Sequence, residues 1–179
     1  RLITLYARAK DGSMKNYGAQ TKEGALLTFT SGTTRLKIIE RTESFLKAQA
    51  HTLDQSLALS DSKIILTTLP VFVLANLYYG VTTILTDKKS VDLTGILREK
   101  PDKIIAAPHY LTLLTSLISA QKVTLPFVQE VLLGGAPVFP RLAQALLATF
   151  PGARVTAVYG SSEAEPIAHL EITAESLKL

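Results

Sequence analysis

The 179-residue chain contains no cysteine, which excludes a disulfide scaffold and cysteine metal sites and fits a reducing compartment. It has no apolar run of membrane-spanning length. The longest, Leu69 to Leu85, is broken by Asn76 and Gly80, so no membrane span is expected. There is no signal-peptide pattern, no internal repeat and no low-complexity segment. Long cationic runs are missing too: the densest cationic pair, Lys88-Lys89, sits beside Asp87. With no basic stripe interleaved with aromatics, nucleic acid is a poor match. The three histidines, His51, His109 and His169, lie far apart without metal-ligand spacing. A cytoplasmic location is the expectation. What is present is apolar: 47% of residues are hydrophobic and 19% charged, with a formal net charge of +4. That is the composition of a buried-core domain, and the length suffices for one.

Apolar runs alternate with segments of helical periodicity. Strands are expected over 2–6, 25–29, 37–40, 64–69, 82–86, 103–107, 128–133 and 154–159. Helices are expected over 43–59, 71–79, 91–100, 110–120 and 140–150, with Pro140 suited to a first turn. The alternation predicts an α/β fold, a mostly parallel sheet with helices on both faces. The chain reads as a single partial domain over 1–179, with 1–24 a loop-rich lead-in.

In such sheets ligands bind beyond the carboxyl ends of the strands. Three turns fall there: Thr30-Ser31-Gly32-Thr33-Thr34, Gly134-Gly135-Ala136-Pro137, and Tyr159-Gly160-Ser161-Ser162-Glu163. Their backbone amides and hydroxyls form donor arrays of the kind that cradle polyphosphates. The expectation is that all three meet in one crevice. Ordinary polar loops, or a generic doubly wound nucleotide or sugar binder, are the competing readings. The Walker-type phosphate loop is excluded, because no second Gly and no Gly-Lys follow Gly32.

Four segments in order resemble the adenylate-forming superfamily, which includes acyl-CoA synthetases, firefly luciferase and the adenylation domains of peptide synthetases. They are Phe29-Thr-Ser-Gly-Thr-Thr34, Leu69-Pro-Val-Phe72 with Gly80-Val-Thr-Thr83, Leu133-Gly-Gly-Ala-Pro137, and Tyr159-Gly-Ser-Ser-Glu163. The resemblance runs from about Leu26 to Ile167. It implies a ligase that activates a carboxylic acid with ATP and Mg²⁺, forming an acyl-adenylate. CoA or a carrier-protein phosphopantetheine is implied as the acyl acceptor. Thr30, Ser31, Gly32, Thr33 and Thr34 would hold the ATP phosphates. Gly134, Gly135, Ala136 and Pro137 would line the adenine and acyl pocket. Tyr159 would lie against adenine, with Gly160 and Ser161 beside it. Ser162, where the family usually has Thr, would contact the α-phosphate, and Glu163 would bind Mg²⁺. Glu165 has no family role and reads as a surface carboxylate.

The chain departs from the pattern in three places. After Thr34 the family's Gly-x-Pro-Lys is replaced by Arg35-Leu36-Lys37. Either the loop is degenerate or residues are missing from the chain after Thr34. Val73 stands where many acyl-CoA synthetases have His, a departure from the standard CoA-ligase gate, and Phe72-Val-Leu-Ala-Asn76 with Ala-Glu-Pro after Glu163 resembles lipid-type branches such as fatty-acyl ligases. Leu179 precedes the family's ribose-binding Asp and catalytic Lys. The expectation is therefore the central part of a larger enzyme, inactive alone, whose partners are the N- and C-terminal parts of the same protein. A degenerate, non-catalytic module binding nucleotide, lipid or a protein partner is the alternative.

Overall fold

The computed structural model describes residues 3–5, 25–31, 36–161 and 164–178. Its frame is a seven-stranded sheet. The five inner strands are β4 (Ile64–Thr67), β5 (Thr82–Leu85), β6 (Lys103–Ala106), β7 (Glu130–Gly134) and β8 (Arg154–Ser161). They run parallel in the order β5-β4-β6-β7-β8. The edges are antiparallel: β1 (Ile3–Leu5) pairs with β5, and β9 (Ala164–Glu171) pairs with β8.

Both faces are covered, because alternate residues of each inner strand point opposite ways. Ile65, Ile105 and Leu132 pack with α1 (Glu43–Leu57) and α2 (Pro70–Tyr78). Their neighbours Leu66, Ile104, Val131 and Leu133 pack with α3 (Leu93–Glu99), α4 (Pro108–Gln121) and α5 (Pro140–Thr149). Each of these strand residues is at most 1% exposed, which is why the strands read as unbroken apolar runs.

Short-range chemistry sets the helix ends. Thr42 Oγ1 accepts from the Phe45 amide at 3.2 Å, and Asp92 Oδ1 from the Gly95 amide at 2.9 Å. Pro70, Pro108 and Pro140 open α2, α4 and α5, where a missing N–H costs nothing. Two prolines therefore start helices earlier than the expected residues 71 and 110. On α4, Tyr110 is fully buried, its hydroxyl meets no hydrogen-bond partner among the described residues, and burial pushes its pKa up to about 12. Thr86 acts on it in the opposite sense, from outside hydrogen-bond geometry.

Two expectations need correction. The strand at 25–29 does not join the parallel sheet. As β2 (Ala25–Ser31) it pairs antiparallel with β3 (Leu36–Thr42) in a separate two-stranded sheet. The reason is covalent: a short connection joins only antiparallel neighbours, since a parallel pair needs a long crossover. Thr30 and Ser31 accordingly lie in strand β2, opposite Lys37 and Leu36, and not in the turn. The second correction is β9, where only a turn was expected after Tyr159. Tyr159, Gly160 and Ser161 are strand residues, and β8 turns back into an edge strand exposed along most of its length.

Candidate functional site

Strand order sets where a crevice can form. The chain passes from β4 to β5 on one side, then returns to place β6 on the other side of β4. Ligands bind outside the carboxyl ends of strands at such a reversal. At those ends lie Leu69 after β4, Gly134-Gly135 after β7, and Tyr159–Ser161 closing β8.

Two clefts open there and share a wall. The first, about 610 Å³, is lined among others by Gly135, Ala136, Pro137, Tyr159, Gly160 and Leu170. Tyr159 is 68% exposed, so its ring is available as a flat wall. The second, about 470 Å³, is lined among others by Arg41, Leu69, Val71, Ser161 and Glu165. Gly135 and Gly160 line both. Ligand groups in the two clefts would meet at these glycines.

Backbone proximity explains why the wall is glycine. Gly134 pairs with Val158, and a Cβ on Gly134 would lie 2.7 Å from the Val158 carbonyl oxygen. Gly135 has φ +77°, a conformation L side chains rarely adopt. A Cβ on Gly160 would lie 2.9 Å from Glu165 Cγ. Glycine thus lets the strand ends and the Glu165 side chain approach more closely than any Cβ would allow.

Of the candidate residues, Gly135, Ala136, Pro137, Tyr159, Gly160 and Ser161 line these clefts, and Gly134 precedes them in β7, paired with Val158. Gly32, Thr33, Thr34, Ser162 and Glu163 lie outside the described residues. The β2–β3 sheet does reach the second cleft, through Leu26 and Arg41. No group of three His, Cys, Asp or Glu that could hold a metal occurs among the described residues. A Mg²⁺ that arrives on nucleotide phosphates needs only one or two protein carboxylates, so no triad is required. His109, in the first turn of α4, and His169, on β9, are both exposed. His51 sits between Tyr78 and Tyr79, with Nδ1 2.7 Å from the Tyr79 hydroxyl.

Sequence reasoning missed Glu165 and Arg41. Glu165 is a half-buried wall residue, not a surface acid; burial pushes its carboxyl above the usual range, and the Arg41 guanidinium opposes this only in part. Arg41 is 5% exposed, donates from Nη1 to Gln49 Oε1 at 2.8 Å, and lies 5.5 Å above the Phe45 ring centre. Two-residue spacing from Glu163 was the one available sequence signal for Glu165. Nothing local marks Arg41.

No curated protein matches the chain. Solved structures do. VinN in complex with L-aspartate superposes with a TM-score of 0.70 at 24% identity, covering 80% of this chain and 39% of that one. The acyl-CoA synthetase (AMP-forming)/AMP-acid ligase II-like protein from Dyadobacter fermentans gives 0.68 at 22% identity, covering 96% and 54%. The O-succinylbenzoate Coenzyme A synthetase from Bacillus subtilis, in complex with ATP and magnesium ion, gives 0.67 at 25% identity, covering 81% and 32%. The chain thus spans between 32% and 54% of these neighbours' lengths. A model of the AMP-binding enzyme family matches residues 5–178. With this match over nearly the whole chain, and glycine-walled clefts at the carboxyl ends of its parallel strands, the chain belongs to the AMP-binding enzyme family.

Proposed function

We propose that this chain is the central, nucleotide-binding part of an enzyme that activates a carboxylic acid with ATP. A carboxylate oxygen attacks the α-phosphorus, the bond to the bridging oxygen breaks, and pyrophosphate leaves with that oxygen. The products are an acyl-adenylate and pyrophosphate. A thiol, on CoA or a phosphopantetheine arm, then takes the acyl group and releases AMP.

The observation that carries this reading is the shared wall at Gly135 and Gly160. The reaction joins a nucleotide to an acid, so it needs two adjoining clefts that meet at one point. Tyr159 and the Gly135–Pro137 turn offer the purine an apolar, flat-sided slot. The second cleft, with Leu69 and Val71, takes the acid. Orientation of the two reactants in this way supplies much of the rate of a group transfer. In this reading Ser162 and Glu163, the two residues that follow Ser161 in the sequence, complete the site. The Ser162 hydroxyl donates to the α-phosphate, and the Glu163 carboxylate is the protein's ligand to the Mg²⁺ that accompanies ATP. That ion would screen the phosphate charge as the carboxylate approaches.

One observation favours a non-catalytic module. The β2–β3 pairing runs to Ser31 opposite Leu36, so only residues 32–35 connect the strands. A connection this short offers few backbone amides to a triphosphate. Glu163→Gln separates the readings. In the complete enzyme it is expected to lower acid-dependent ATP–pyrophosphate exchange by about tenfold to a hundredfold without lowering the unfolding temperature. Equal exchange by mutant and parent at saturating Mg²⁺ contradicts the assignment.

A further inference from the structure

Glu165 is built into the second cleft and has no partner there among the described residues. Its Cγ fills the space where Gly160 carries no Cβ, since a Cβ at Gly160 would come within 2.9 Å of it. Around it the cleft is lined by the apolar Leu69, Pro70, Val71 and Leu74. Among the described residues its carboxylate makes no hydrogen bond and no ion pair. The two cations in the same cleft do not satisfy it. Arg41 is engaged by Gln49 and the Phe45 ring, and Lys88 is an exposed residue beyond β5.

A half-buried carboxylate flanked by apolar side chains gains most from a ligand that brings both positive charge and donors. We propose that Glu165 is a specificity-determining residue of this cleft, selecting a carboxylic acid that also carries an ammonium group. The substrate's aliphatic part lies along Leu69, Val71 and Leu74, its ammonium meets Glu165, and its own carboxylate points to the shared wall at Gly135 and Gly160. An acid with a methyl in place of the ammonium leaves the half-buried Glu165 carboxylate without a counter-charge, and is disfavoured for that reason. This inference rests on the adenylation reading above.

The test is ATP–pyrophosphate exchange by the complete enzyme with acid pairs that differ in ammonium against methyl. Suitable pairs are 3-aminobutanoate with 3-methylbutanoate, 4-aminobutanoate with pentanoate, and 6-aminohexanoate with heptanoate. The parent is expected to prefer the amino member of at least one pair. In Glu165→Gln that preference falls by about tenfold to a hundredfold, through the acid's kcat/KM and not through the KM for ATP. Glu165→Asp, which keeps the charge, is expected to retain part of the preference and covers the case of a misfolded Glu165→Gln. A parent that prefers the neutral member of every pair overturns the proposal, as does an amino preference that survives Glu165→Gln. Both outcomes leave adenylation standing, because exchange still occurs. Absence of exchange with every acid overturns the adenylation reading itself.

Discussion

Gly134→Ala is expected to destabilise the protein by about 2–3 kcal/mol, at the upper end for a single added methyl in a packed core. The new Cβ would sit 2.7 Å from the Val158 carbonyl oxygen, a backbone atom in the neighbouring parallel strand. Flexible side chains can step aside, but Val158 is 8% exposed and hydrogen-bonded into the sheet. The strands must part instead, at the wall shared by both clefts, so pyrophosphate exchange should fall along with stability. Gly135→Ala is the matching control. Its Cβ would meet only Leu69 Cδ2, at an ordinary 3.6 Å, but the residue has φ +77°. Its cost is conformational and smaller, about 1–2 kcal/mol. Urea unfolding of the two variants checks the order, and equal stability of parent and Gly134→Ala would contradict the geometry of the wall.

The largest expected loss comes from the opposite end of the sheet. Glu130, its side chain 10% exposed, lies 2.9 Å from Lys103 Nζ through Oε2 and 2.9 Å from Arg154 Nε through Oε1. Lys103, 5% exposed in its side chain, also donates to the Leu57 and Ala58 carbonyls at 2.7 Å each. Those are carbonyls at the C-terminal end of α1, a helix with no basic residue in its own last turn. Lys103 therefore satisfies acceptors that a helix end leaves open, and places a cation against the negative end of the dipole. Glu130→Ala leaves that ammonium buried with no carboxylate, at a cost of about 3–5 kcal/mol. Glu130→Ala combined with Lys103→Met should recover part of the loss, because the stranded charge goes too. The recovery stays incomplete, since the α1 carbonyls lose their donor. Chemical unfolding of the single and double variants measures both. A single variant as stable as the parent would mean that water reaches Lys103.

The parallel core was legible because burial on both faces writes itself into sequence. Ile64–Thr67, Lys103–Ala106 and Glu130–Gly134 are short, mostly apolar runs, each followed by proline, glycine or a helical period. The glycine wall was legible for a related reason: a close strand approach and a positive φ both demand the same small residue, so Gly134-Gly135 marks itself. The β2–β3 sheet was harder. An apolar strand followed by a polar turn looks alike whether the next strand is parallel or antiparallel, and only the short connection decides. β9 was missed because an exposed edge strand lacks the alternation that a covered face imposes; Ile167, Ala168, His169 and Leu170 are all exposed. Glu165 and Arg41 were missed because their meaning is tertiary. A carboxylate against Gly160 and a guanidinium over Phe45 are joined by folding, not by spacing. The resemblance supplied roles for Ser162 and Glu163 that lie beyond what composition and periodicity carry.

The central claim is that these clefts belong to a carboxylate-adenylating enzyme of which residues 1–179 are one part. Acid-dependent ATP–pyrophosphate exchange tests it most directly, measured with Mg²⁺ on the complete protein and on the 1–179 chain side by side. The account predicts exchange by the complete protein that appears only when an acid is supplied. It predicts none by the 1–179 chain, because the residues proposed for phosphate and purine include no cation to stabilise charge on the α-phosphate in the transition state. Exchange by the 1–179 chain comparable to that of the complete protein would show that a catalytic cation lies within it, unassigned. No exchange by the complete protein with any acid would contradict the claim and leave a nucleotide-binding module in its place.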